Sequence, residues 1–238
     1  MIKPDILSKE DIESEATVFL QKYSPESLCK IVKLDLESIA EFDLNLVIDY
    51  QKLDKDGNLL GMTIFKESRV PIINENGNIE FIKVNKGTII FNTWMTDDLK
   101  QNNRYKYTLA HEVGHWILHR RKMLDYDGQI SLDMLLKQKS SVDENAYVKC
   151  LNRKVNPSYI NTKLKEDIDW IEWQANYWAS AILMPKKIFC ETYEEYKKVY
   201  AKEKIVENLA NDFGVSKVAV ENRIKNFNKE YILNQINI

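Results

Sequence analysis

The chain has 238 residues, 44% hydrophobic and 29% charged, which suits one sizeable domain, or one domain with an appendage, in a water-soluble globular protein. Lys and Arg number 34 against 36 Asp and Glu, a net charge of -2, which argues against any general electrostatic attraction to nucleic acid or to an anionic membrane. Cys29, Cys150 and Cys190 are far apart and form no C-x-x-C, which speaks against a disulfide framework and against a cysteine zinc site.

The opening "MIKPDILSKEDIESEA" carries no secretory h-region, and no apolar run reaches the roughly 18 residues of a membrane span. The expected location is the cytoplasm, with no membrane partner. Ser8 with Asp11 reads as a helix start, with helix to about Tyr23. Pro25 suits the first turn of a second helix, and "DLESIAEF" from Asp35 continues in helical style.

The period then changes. "LNLVIDYQKL", "LLGMTIF", "RVPIIN", "IEFIKV" and "GTIIFN" are short and rich in β-branched and aromatic residues, and Asp56-Gly57 and Asn76-Gly77 are hairpin-turn signals between them. Residues from about 44 to 92 are therefore expected to form a small, mainly antiparallel sheet. A histidine-bearing helix follows, then a mixed segment over 120–166, an apolar helix over about 168–184, and a helical tail. The expected fold class is α+β, with one small sheet flanked by helices.

All three histidines of the chain fall within nine residues of "YTLAHEVGHWILH". On a helical wheel Leu109, Val113, Trp116 and Ile117 share a core face, while His111 and His115 lie opposite, one turn apart, so that their rings can converge. Glu112 projects to the flank. This is H-E-x-x-H: two imidazoles for a zinc ion and a carboxylate to act as general base. Gly114 allows another element to come close to the helix. A catalytic zinc has three protein ligands, and a structural one has four. His119 lies two turns from His111, about 12 Å along the axis, too far to share the ion in a continuous helix. It is read instead as a helix-end residue or as part of the substrate pocket wall. The third ligand is expected to be Glu172, a carboxylate on the apolar helix "DWIEWQANYWASAILMP", where burial demands a partner or a metal. The competing reading pairs it with an arginine such as Arg104. Asn176, one turn later, is expected to hydrogen-bond a metal ligand from behind.

With these pieces assembled, the chain resembles the ImmA/IrrE family of metallopeptidases. "RYKYTLAHEVGHWILH" is similar to the family's R-x-F-T-x-A-H-E-x-G-H-x-x-x-H segment, and "EWQANYWASAILMP" to its E-x-x-A-N-x-F-A-x-x-L-L-M-P segment. "NLANDFGVSKVAVENRIKNF" resembles the helix-turn-helix-like end common among members. The resemblance implies a zincin-like domain over 1–190 and a helical, helix-turn-helix-like tail over 191–238. It implies one Zn2+ per chain, held by His111, His115 and Glu172, with Glu112 as the catalytic carboxylate. It also implies an intracellular zinc endopeptidase whose partner and substrate is a protein, a helix-turn-helix (XRE-like) transcriptional repressor. The 57 residues from His115 to Glu172 exceed the gap expected of compact members, so 120–166 is read as an insertion.

A substrate peptide is expected to add as a strand at a sheet edge, with "GTIIFN" the nearest in sequence. Tyr105, Tyr107, Tyr126, Tyr177 and His119 each qualify as an oxyanion donor, and the sequence does not choose among them. Cys150 is read as an idle thiol rather than a zinc-capping thiolate. The tail from Ala201 to Tyr231 holds six basic and five acidic residues, and only Lys217, Arg223 and Lys225 form a cluster, so no strong DNA binding is expected. The alternative to an enzyme is a regulatory module that holds a repressor or DNA without cutting, with a structural zinc. A third reading is a zinc hydrolase of small substrates.

Overall fold

The computed structural model describes residues 5–96, 102–125, 147–151 and 167–236. It is an α+β arrangement, with seven α-helices and six strands among the described residues. Helix α1 (Lys9–Tyr23) starts on a complete capping box between Ser8 and Asp11, and buries Ile12, Ala16, Phe19 and Leu20. Pro25–Leu28 is a 3-10 turn, and α2 (Leu36–Ser38) runs into a π-turn over Ile39–Asp43.

The strands are β1 (Val47–Gln51), β2 (Leu59–Ile64), β3 (Ser68–Ile73), β4 (Ile79–Val84), β5 (Thr88–Asn92) and β6 (Tyr147–Leu151). They form two sheets. Four strands run in the order β1-β5-β2-β6, and β3 and β4 make a separate hairpin. The hairpin turns at Asn76-Gly77, where Gly77 has φ +77°, a value side chains other than glycine's rarely adopt. Asp56-Gly57 also makes a turn, but it joins no hairpin: β5 lies between β1 and β2, parallel to β1 and antiparallel to β2. Asp54 braces that turn, accepting from the Gly57, Asn58 and Leu59 amides.

Two expectations are corrected here. "GTIIFN" forms the central strand β5, whose backbone groups are spent on both neighbours, so it offers no edge. The sheet is not confined to about 44–92, because residues 147–151 supply β6 along β2. No hydrophobic run had marked that strand.

Helix α3 (Asn102–Asp125) lies on the four-stranded sheet, against β2. Period two sorts β2 and β5: Thr63, Ile89 and Phe91 face α3, and Met62, Ile64 and Ile90 face the other way, under the hairpin with Val70 and Val84. Helix α4 (Asp167–Leu183) covers the opposite side of α3, and α1 packs on α4. Helices α5 (Lys186–Lys197), α6 (Lys202–Phe213) and α7 (Lys217–Ile236) follow. Gly214 ends α6 with a left-handed φ of +65°. Leu209, Phe213 and Val220 join the same apolar cluster as Phe19, Trp178 and Phe189, so the core runs on into the tail. No described helix is long and apolar enough to cross a membrane.

Candidate metal centre

Every residue from Thr108 to Trp116 is buried, because α3 is sandwiched between β2 and α4. The face carrying His111 and His115 is therefore no solvent face; α4 covers it. The approach is close at Gly114: a Cβ there would sit 3.0 Å from the Trp178 ring and 3.3 Å from the Ala175 carbonyl. The expected use of Gly114 is seen here as the seam that lets α4 settle onto α3.

That seam delivers Glu172 to the histidines. His115 Nε2 lies 2.9 Å from His111 Nε2 and 3.2 Å from Glu172 Oε1, and His111 Nε2 lies 3.4 Å from Glu172 Oε2. One ligand atom from each residue can be chosen within 4.8 Å of the others. Tetrahedral zinc with bonds of about 2.0–2.2 Å separates its ligand atoms by about 3.3–3.6 Å, so the residues present fit such an ion. The donor set, two imidazoles and a carboxylate, also suits zinc. Glu172 stands with the histidines and not with Arg104. Burial raises its carboxyl, but His111 and His115 outweigh burial and hold it well below the usual carboxylate range.

Glu112 turns from the histidine face toward the sheet. It is 0% exposed, and Thr63 Oγ1 donates to its Oε2 at 2.6 Å. Its Oε1 accepts no hydrogen bond among the described residues and lies 3.3 Å from where a Gly61 Cβ would be. Burial is the main cause that pushes the Glu112 carboxyl up to about 8, against the pull of His111 and the Thr63 bond. A carboxylate in that environment readily takes a proton, the property a general base needs. Thr63 and Gly61 were not singled out in the sequence. The only signal for them is the buried, period-two strand across from H-E-x-x-H.

Two expected site residues are placed differently. Asn176 is exposed, and its amide donates 2.8 Å to the main-chain carbonyl of Glu172, one turn back on its own helix, instead of to a ligand side chain. His119 is not at the helix end: α3 continues to Asp125, and the ring is 4% exposed in the interior. Its Nδ1 is 3.2 Å from His115 Nδ1, and its Nε2 is 3.0 Å from Gln174 Oε1. Burial pushes the His119 imidazole down to about 3, and His115 is lowered too, first by burial and then by His111. Of the tyrosines, Tyr107 donates to the Asn176 carbonyl at 3.1 Å across the α3–α4 seam, and Tyr105 meets Tyr50 hydroxyl to hydroxyl at 3.0 Å. Tyr126 and the Cys150 side chain lie outside the described residues. Two surface clefts, about 410 and 280 Å³, are lined by other residues, Leu28 and Pro185 in one and Val32 and Phe42 in the other.

A peptidase family model described as the IrrE N-terminal-like domain matches residues 148–225, which include Glu172 but begin after the histidine helix. No curated protein matches the chain. Among solved structures, a Mycobacterium tuberculosis transcriptional regulator aligns with a TM-score of 0.43 and 12% identity. The alignment covers 90% of this chain and 46% of that one, so the chain spans less than half the length of that structure. Over 148–225 the chain is thus similar to the IrrE N-terminal-like peptidase domain, which supports the resemblance read from the motifs.

Proposed function

We propose that the protein is an intracellular zinc endopeptidase with a zincin-like domain, and that it cleaves a protein regulator, a helix-turn-helix repressor. The observation that carries this reading is the convergence of His111, His115 and Glu172 beside the buried, half-bonded carboxylate of Glu112. Among the described residues three protein ligands converge, and not four, which suits a catalytic site and weighs against a structural zinc.

A zinc ion held there would supply a Lewis acid and lower the pKa of water at the site to about 7. His111 and His115 each direct a ring Nε2 to the ligand position, and Glu172 brings the negative charge. Glu112 Oε1 takes the proton from the attacking water and returns it to the leaving amine, while Thr63 keeps Oε2 occupied and the carboxylate aimed. Of the four residues Glu172 is the least enclosed, its side chain 12% exposed, so substrate approaches from its side. An extended peptide can pair with a sheet edge; among the described residues the edge strands of the four-stranded sheet are β1 and β6, and both pack on α3. The tail serves the fold or docks protein; its Arg223 is buried and Lys217 is paired with Glu207 at 3.2 Å, which leaves little for phosphate.

The test separates metal from chemistry. Elemental analysis should find about one zinc per chain, and His115→Ala or Glu172→Ala should lose most of it. Glu112→Gln should keep the zinc yet abolish cleavage of quenched fluorescent peptides and of a candidate repressor. Undiminished zinc in both ligand variants, or normal turnover by Glu112→Gln, would sink the reading.

A further inference from the structure

Behind the three converging residues a second row of polar groups runs through the core. His115 Nδ1, the ring atom turned away from Glu172, is 3.2 Å from His119 Nδ1. His119 Nε2 is 3.0 Å from Gln174 Oε1, and Gln174 Nε2 donates 2.7 Å to the main-chain carbonyl of Asp5. His115 and Gln174 are 0% exposed and His119 is 4% exposed. The Asp5 side chain is tied to Lys122 of α3 at 2.7 Å, which holds that carbonyl over the end of the row.

The protons in this row can be counted from one end. A main-chain carbonyl only accepts, so the Gln174 atom facing Asp5 is its nitrogen, and its oxygen faces His119. That oxygen also only accepts, so His119 carries a hydrogen on Nε2. A neutral ring bears one ring hydrogen, so His119 Nδ1 offers a lone pair. The contact between the two Nδ1 atoms needs one hydrogen, which must come from His115. His115 is then protonated on Nδ1 and bare on Nε2.

We infer that His119, Gln174 and the Asp5 carbonyl form a one-way hydrogen-bond chain that fixes the tautomer of His115, so that its Nε2 lone pair always faces His111 and Glu172. His119 and Gln174 are positioning residues. They touch no substrate and act through His115. A ligand histidine held this way needs neither ring flip nor proton loss before it binds metal, and partners of this kind are worth about 10- to 100-fold in metal affinity. The hydrogen-bond chain stands on geometry alone; its consequence for metal rests on the zinc reading above.

The experiment uses the full chain, metal-free and zinc-loaded. With only three histidines, a long-range ¹H–¹⁵N correlation spectrum resolves every ring. The expected result is His115 protonated on Nδ1 and His119 on Nε2 in both samples. His119 protonated on Nδ1, or His115 bare on Nδ1, overturns the inference. The second readout is zinc affinity against a chromophoric chelator. His119→Leu and Gln174→Leu should weaken binding by roughly 10- to 100-fold. His119→Asn, whose Oδ1 falls where Nδ1 was and can accept from His115, should recover most of that loss. Equal weakening in His119→Leu and His119→Asn overturns the inference, because packing and not the acceptor would then be what matters. A chain that binds no zinc but shows the two expected tautomers refutes the metal reading and leaves the hydrogen-bond chain standing.

Discussion

Glu112 shows how one side chain's chemistry is set by a neighbour far away in sequence. Its carboxylate is buried, and one bond, from Thr63 Oγ1 at 2.6 Å, holds Oε2. A hydrogen bond to a charged group contributes about 1.5–3 kcal/mol. Thr63→Val keeps the shape and removes the donor, so cleavage of a quenched peptide should slow by roughly 10- to 100-fold while zinc content is kept. A rate within about twofold of the unmodified chain would show that Thr63 only fills space. At this scale the sequence told much about the proposed ligands. A turn of helix fixes the relation of His111 to His115, and a carboxylate on an apolar helix needs a partner. The same one-turn logic fails for Asn176. Spacing puts it on the Glu172 face, but an exposed amide beside its own helix finds the carbonyl four residues back more easily than a buried ligand.

Among the elements, the decisive contact is α3 on α4, because His111 and His115 belong to one and Glu172 to the other. Gly114 sits where the two backbones nearly touch, with the Ala175 Cα 3.4 Å from where its Cβ would be. Gly114→Val adds a branched side chain against Trp178 and Ala175. Overpacking of this kind costs about 1–3 kcal/mol, and relief comes by moving α4 and with it Glu172. The variant should melt at lower temperature and also bind zinc more weakly, read by thermal denaturation and chelator competition. A lower melting temperature with unchanged zinc affinity would mean that the seam stabilises the fold without positioning the ligand. The strands were legible as strands from their β-branched runs, but their order was not. Asp56-Gly57 is a sound turn signal, yet the partner β1 takes is β5, drawn from more than thirty residues away. Pairing is settled by which faces bury against α3 and the hairpin, a property of the assembled sheet.

For the molecule as a whole, the tail is bound into the core. Arg223, 0% exposed, pairs with Glu13 of α1 and donates twice to the Met184 carbonyl, at 3.1 and 2.9 Å. One side chain thus ties α7 to the chain's first helix and to the end of α4. Cutting such a buried pair leaves an uncompensated carboxylate, so Arg223→Ala should lower the unfolding free energy by about 3–5 kcal/mol in a urea titration. A loss below about 0.5 kcal/mol, the size of a surface change, would mean that the tail is peripheral. The sequence placed Arg223 in a basic cluster, since charge is visible in a string of letters and burial is not.

The sequence by itself determined whatever depends on neighbours within a few residues. This covers the capping box of α1, the helix that aligns His111 with His115, the apolar character of α4, the turn at Gly77 and the motifs that resemble the ImmA/IrrE family's. Local covalent geometry enforces these relations in any fold that keeps the helix or the turn. Only the tertiary structure decided that Thr63 holds Glu112, that β6 joins the sheet beside β2, and that His119 lies behind His115. It alone decided that Gln174 and the Asp5 carbonyl complete the row. Each of these joins segments separated by tens of residues or more, and the partner is chosen by packing: a buried polar group must meet another, and which one it meets depends on how the sheet and helices close around it.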